Sequence, residues 1–274
     1  MKYFIMDLYD GPNRIIANCV DALRLATLSD QAEIICFNLV EFLNRSSDEK
    51  YLEQIVDQLR DSDVIFAFTD RNLLVHMRHV PDFRKTLFDK IDNRVPFFFQ
   101  FMNIWEMYYG PQCFYPYCKS DYIELLEYLR IHPTGIRVYN SDQSEYYTKF
   151  TPRFEPVIND TGISNAFEDG RGAWIFEANL MTFGEGNSAL LKSHHLNHHD
   201  MTRDPGAGLP DFERHSPFVI RNTEKHFGYF VSGTLLSIRF HYVAEKTAVP
   251  EANIVAISNI VRELQSNVRV TADA

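Results

Sequence analysis

The sequence predicts an α/β fold, a three-layer sandwich with a mainly parallel central sheet. Three observations carry this expectation. Four apolar runs of strand length stand at 3–8 (YFIMDL), 32–39 (AEIICFNL), 63–68 (DVIFAF) and 95–101 (VPFFFQF). Helical patterns separate them, so strand and helix alternate through the first 130 residues. The runs are nearly continuous in apolar character, which suits strands buried on both faces. A βαβαβαβα order favours a parallel sheet with helices on both sides of it.

The elements follow in order. The first run ends in Asp10-Gly11-Pro12-Asn13, a loop. Over 15–28, Ile15, Cys19, Leu23 and Ala26 recur near helical spacing and predict an amphipathic helix. Residues 50–60 (KYLEQIVDQLR) predict a second, with Leu52, Ile55, Val56 and Leu59 on one face. Residues 80–91 and 120–130 read as two more. The second half is less regular. A strand is expected at 135–139, and short strands at 173–178 and 189–192. Turn signals fill 151–172, at Thr151-Pro152, Asn159-Asp160 and Asp169-Gly170. Residues 194–217 are rich in His, Asp, Gly and Pro and predict an irregular loop. A strand pair is expected at 227–231 and 235–242, around Ser232-Gly233-Thr234. A terminal helix is expected at 252–264, with Ile254, Ile257, Val261 and Leu264 on one stripe, and a disordered tail at 267–274. No repeat or low-complexity linker divides the chain, so 1–274 is expected to form one domain.

Composition excludes some classes of function. Apolar residues make up 45% and charged residues 23%, so the chain has enough apolar surface to fold. The aromatic fraction is 14%, with 22 Phe and 14 Tyr, which allows a large core with rings left over for a pocket. The net charge of −10 argues against general nucleic-acid binding, which needs basic surface. Cys19, Cys36, Cys113 and Cys118 form no CxxC pair and no disulfide framework, so a cytoplasmic setting is expected. The apolar start is interrupted by Asp7, and the most apolar uncharged run, 95–105, is about half of a membrane span. Neither a signal peptide nor membrane insertion is expected.

Three constellations have chemical potential. The loop after the first run, 9–14, carries Asp10 and Arg14 at the expected start of a helix, where an anion or a polar ligand is well placed. The bland alternative is a turn with Asn13 as helix cap. Neither GxGxxG nor GxxxxGK[ST] occurs. The second constellation is the histidine bias: seven of the ten histidines lie between His194 and His241. In SHHLNHHD (193–200), His194 with His198 and His195 with His199 would be i,i+4 pairs on a helical turn, a spacing that suits a divalent metal ion. There is no HExxH, and a solvated or partner-facing loop is the competing reading. His76 and His79 form a further pair at i,i+3. The third is the aromatic segment 103–110 (NIWEMYYG), where Asn103, Trp105 and Glu106 combine a ring with polar groups suited to a sugar. A subdomain core or a homo-oligomer contact is the alternative there.

The layout resembles the class I glutamine amidotransferase-like group, which includes the ThuA-like proteins. The similarity covers most of the chain as a pattern: the strand 63–68, a helix, the strand 95–101, the segment 161–167 (TGISNAF), the strand 188–193 (SALLKS), and 238–241 (IRFH) before a terminal helix. The resemblance implies that 238–241 is the strand delivering a catalytic histidine, His241. The family's chemistry needs a Cys on a tight strand-to-helix turn, activated by His and oriented by Glu. After VPFFFQF this chain has Met102 and Asn103, and His241 is followed by Tyr242-Val243-Ala244 before Glu245. Glutaminase activity by the family mechanism is therefore not expected. Residues 56–91 also resemble flavodoxin-like FMN reductases, which implies a flavodoxin-like sandwich and an FMN phosphate in the loop after the first strand. That loop lacks the Ser/Thr-rich character the family would bring, and Thr69-Asp70-Arg71-Asn72 is the only likeness to a flavin-contacting loop.

In a doubly wound sheet the functional crevice lies beyond the carboxyl ends of the strands. The loops after Leu8, Phe68 and Phe101 would bring Asp10, Arg14, Asp70, Arg71, Asn103, Trp105 and Glu106 to one region, with His241 arriving from the C-terminal strand. His241 and Glu106 are the expected proton-moving groups, the others ligand contacts. Three functions are expected to compete: a module binding a small polar, sugar-related ligand or a protein partner; a metal-dependent enzyme using the histidine-rich loop; and an FMN oxidoreductase.

Overall fold

A computed structural model describes residues 1–8, 32–69, 80, 82–101, 125–138, 153–156, 177–194, 199–200, 215–231 and 251–272. The strands are β1 (Lys2–Leu8), β2 (Glu33–Asn38), β3 (Val64–Thr69), β4 (Phe97–Phe101), β5 (Ile131–Val138), β6 (Arg153–Pro156), β7 (Glu177–Phe183), β8 (Asn187–His194), β9 (His199–Asp200), β10 (His215–Asn222) and β11 (Gly228–Val231). The helices are α1 (Leu39–Arg45), α2 (Glu49–Arg60), α3 (Phe83–Asp92) and α4 (Glu251–Ala272).

The four runs expected to form the parallel sheet do so. β1 pairs in parallel with β2 on one side and β3 on the other, and β3 pairs in parallel with β4. β11 adds a fifth parallel strand beside β4. The sheet then continues antiparallel through β10, β8 and β6, giving the order β2-β1-β3-β4-β11-β10-β8-β6. A second sheet has the order β7-β5-β9.

Helices cover both faces. Successive strand residues point to opposite sides, so each apolar run supplies two cores. Phe4, Met6, Ile65, Ala67, Phe97 and Phe99 join Ile55, Val56 and Leu59 of α2 and Phe83, Leu87 and Ile91 of α3 in one buried cluster. The alternate positions, Tyr3, Phe66, Phe68 and Phe98, form a ring cluster with centroids 5.7–6.3 Å apart. α4 packs against β3 on this side and donates from Gln265 Nε2 to the Tyr3 hydroxyl at 2.8 Å. The amphipathic pattern of α2 is capped as expected of an Asp at the N-cap, where Asp48 Oδ1 accepts from the Tyr51 amide at 3.2 Å. No described helix is long and apolar enough to cross a membrane.

Several expectations are corrected. β10 and β6 occupy residues read as loop and turns. Pro217 within β10 disguised that strand, and the ladder with β8 shifts register between Pro217 and Val219. Pro133 likewise hid the start of β5, whose register shifts between Pro133 and Gly135. The expected helix at 120–130 is helical at 125–128, where it is described, and is followed by a turn in which Arg130 has a left-handed φ of 56°; 120–124 lie outside the described residues. β7 includes Glu177 and Ala178 of the expected strand at 173–178 and runs on to Phe183, and 173–176 lie outside the described residues. α1 follows β2 where no element was expected. The expected tail is corrected most clearly: α4 continues past Leu264 to Ala272, with Asn267 and Val268 half-buried within it. The expected helix at 15–28 and strand at 235–242 lie outside the described residues.

Candidate functional site

The carboxyl ends of the parallel strands finish in register. Asn38, Asp7, Phe68, Gln100 and Val231 form one row across β2, β1, β3, β4 and β11. One step further, Leu8, Thr69 and Phe101 form the last row across the three central strands. Adjacent strands lie about 4.8 Å apart, so these chain ends emerge side by side. The connection from β1 runs outward to β2, whereas β3 lies on the opposite side of β1. Strand order therefore reverses between β1 and β3, and open α/β sheets bind ligands beyond such a reversal.

The chemistry of this edge changes within one residue step. Phe97, Phe98 and Phe99 are fully buried and apolar, and the next residue is Gln100, a carboxamide only 3% exposed. Its row also carries Asp7 and Asn38. A buried amide at the end of a phenylalanine run is expensive unless it is hydrogen-bonded, and Gln100 is not left without a partner. Gln100 was missed in the sequence because VPFFFQF reads as one strand. The signal was its single polar letter, three residues before Asn103.

The residues singled out in the sequence relate to this edge as follows. Asp10 and Arg14 follow β1, Asp70 and Arg71 follow β3, and Asn103, Trp105 and Glu106 follow β4. All seven, and His241, lie outside the described residues, as do Cys19, Cys113 and Cys118. The structure brings together the strand ends that these residues follow in the chain.

The histidine-rich stretch is described only at its two ends, and both are strand. His194 is the last residue of β8, opposite His215 of β10 and Arg153 of β6. His199 lies in β9 of the second sheet, opposite Val138. The backbone is extended at both positions, and their expected i,i+4 partners, His198 and His195, lie outside the described residues. The pairing of His194 with His215 across 21 positions was invisible to local spacing. Among the described residues, no group of three or more His, Cys, Asp and Glu side chains is placed to hold a metal ion.

The opposite, amino edge of the sheet is polar in a different manner. Asn187 Nδ2 donates to the Leu129 carbonyl at 2.7 Å, and Asn222 Nδ2 donates to Asn187 Oδ1 at 2.9 Å. Arg94 donates to the Thr223 and Glu224 carbonyls at 2.9 and 2.7 Å. Lys90 Nζ donates to the Ser62 carbonyl at 2.7 Å, and Asp63 accepts from the Lys2 amide at 2.7 Å. Burial lowers the Lys90 pKa. On the α4 side, Glu263 accepts from the Tyr229 hydroxyl and from Arg221. Burial, then the Glu263 charge, push the Tyr229 phenol far above its ordinary range, so it stays a neutral donor. Each of these groups meets a specific protein partner, and together they tie distant segments to one another. No family model matches the chain, and no curated protein matches its sequence.

Proposed function

We propose that the protein binds a small polar, sugar-related ligand in the crevice beyond the carboxyl ends of β1, β3 and β4. In this reading the fold is amidotransferase-like and works without glutaminase chemistry. The observation that carries it is the in-register ending of those strands at Leu8, Thr69 and Phe101, at the point where strand order reverses. Three loops leave that row, and within a few residues they carry Asp10, Arg14, Asp70, Arg71, Asn103, Trp105 and Glu106. Carboxylates and an amide hydrogen-bond hydroxyl groups, arginine pairs with an acidic substituent, and the indole covers an apolar sugar face. His241 and Glu106 are the proposed proton-moving pair if the ligand is also turned over.

The test is binding of a panel of monosaccharides and sugar phosphates by calorimetry, with Asp10→Ala, Asn103→Ala and His241→Ala. Loss of at least tenfold in affinity, about 1.4 kcal/mol, in Asp10→Ala or Asn103→Ala supports the site. Unchanged affinity in all three folded variants removes it.

A second reading has one observation in its favour. The order β2-β1-β3-β4-β11 is the 2-1-3-4-5 order of flavodoxin-like sheets, whose FMN sits at the β1/β3 reversal. The residues present fit that group poorly, because 9–14 (YDGPNR) offers no Ser or Thr to a phosphate. An absorbance spectrum of the purified protein separates the readings, since bound flavin is yellow.

A further inference from the structure

His226 lies in the turn between β10 and β11, where the parallel and antiparallel halves of the main sheet meet. It is 1% exposed. Neither Nδ1 nor Nε2 has a hydrogen-bond partner within normal geometry. The imidazole stacks on the Tyr128 ring with centroids 4.9 Å apart. Tyr128 in turn meets Phe88 of α3 edge-on at 4.8 Å. The backbone around the ring is fixed: the His226 amide donates to Asn222 Oδ1 at 3.1 Å, and the Phe97 amide donates to the Phe227 carbonyl at 3.1 Å.

We infer that His226 is an acid-sensitive latch: its neutral ring closes the 223–227 corner against Tyr128, and protonation releases that corner. The physical reason is placement. An imidazolium needs water, and this site buries the ring against an aromatic face with neither ring nitrogen in a normal hydrogen bond. The charged groups around it divide. Lys225 in the same turn has its ammonium 4.9 Å from the Tyr128 ring centroid and opposes a second cation. Arg94, beyond the end of α3, opposes it as well. The Ile91 carbonyl and Asp92, from α3, favour the charged form. Burial outweighs them and holds the imidazole below its ordinary range. To take up a proton the ring must leave its stack and reach solvent, which uncovers Tyr128 and frees the turn that Arg94 and Asn222 hold.

The direction follows from linkage. The native state binds the His226 proton more weakly than the unfolded chain. The stabilisation is therefore complete above the unfolded imidazole pKa of about 6.5 and is lost as pH falls toward the depressed native value. The experiment compares denaturant unfolding of the wild-type protein and His226→Phe, which retains a ring but cannot titrate, from pH 7.5 to 5. The wild type should lose stability relative to the variant below pH ~6.5, approaching a tenfold change in the unfolded-to-folded ratio per pH unit. Parallel loss in both proteins overturns the inference. Should His226→Phe fail to fold, NMR titration of the wild-type His226 ring decides. Protonation at or above the ordinary pKa with the corner amides still protected from exchange overturns the latch. Protonation delayed until those amides lose protection supports it.

Discussion

The two ends of the parallel strands are built on different principles. At the amino edge, side chains bind backbone and one another across long stretches of sequence. Asn187 reaches Leu129, Arg94 reaches Thr223 and Glu224, and Lys90 reaches Ser62. At the carboxyl edge, the strands end in register on a row that holds Asp7, Asn38 and Gln100, and the sequence that follows β1, β3 and β4 carries charged residues such as Asp10, Arg14, Asp70, Arg71 and Glu106. The first edge has its polar groups committed to the fold. The second carries polar residues in the register row at which the parallel strands stop. Polar residues of the same types thus stitch the fold together at one end, and at the other they stand where the proposed ligand site begins.

Substitutions at each edge break or sharpen that contrast. The largest stability effect is expected at Gly228, the first residue of β11. An added Cβ there would lie 2.5 Å from the Phe97 ring, which is buried and stacked on Phe99 at 4.6 Å and has no room to turn away. Gly228→Ala should cost about 1–3 kcal/mol despite the lower entropy of the unfolded alanine chain. A denaturation midpoint equal to that of the wild type would show that this row tolerates repacking.

Asn222→Ala should follow, at about 1–3 kcal/mol. It strands the buried His226 amide and removes the donor to Asn187 Oδ1. Native-state hydrogen exchange should show the loss concentrated at the 223–227 turn. A loss spread evenly over the sheet would mean that the amino edge is not a local stitch.

At the other end the expectation is reversed. Asp10→Ala and Asn103→Ala should shift stability by no more than about 0.5 kcal/mol while carrying the binding losses described above. If either variant is as destabilised as Asn222→Ala, the carboxyl-edge loops are structural and the contrast between the edges fails.

Some of this was legible in the sequence and some was not. The four parallel strands were, because continuous apolar runs such as VIFAFT and FFFQF suit burial on both faces and little else. The helix α2 was legible from Ile55, Val56 and Leu59 recurring on one face. β10 was not, because Pro217 interrupts its pattern and only the ladders with β8 and β11 define it. The extent of α4 was missed because its last turns lack a strong apolar stripe beyond Leu264. For the candidate site, the sequence named the loops, and the register of Leu8, Thr69 and Phe101 shows that they start together.

The sequence by itself determined the class of fold, since hydrophobic periodicity is a local property and fixes which segments must be buried, and on how many sides. Only the tertiary structure decided which segments became neighbours. The pairing of His194 with His215, the stack of His226 on Tyr128 and the row from Asn38 to Val231 join residues far apart in the chain. Such meetings depend on strand order and register, which pattern within any one segment does not encode.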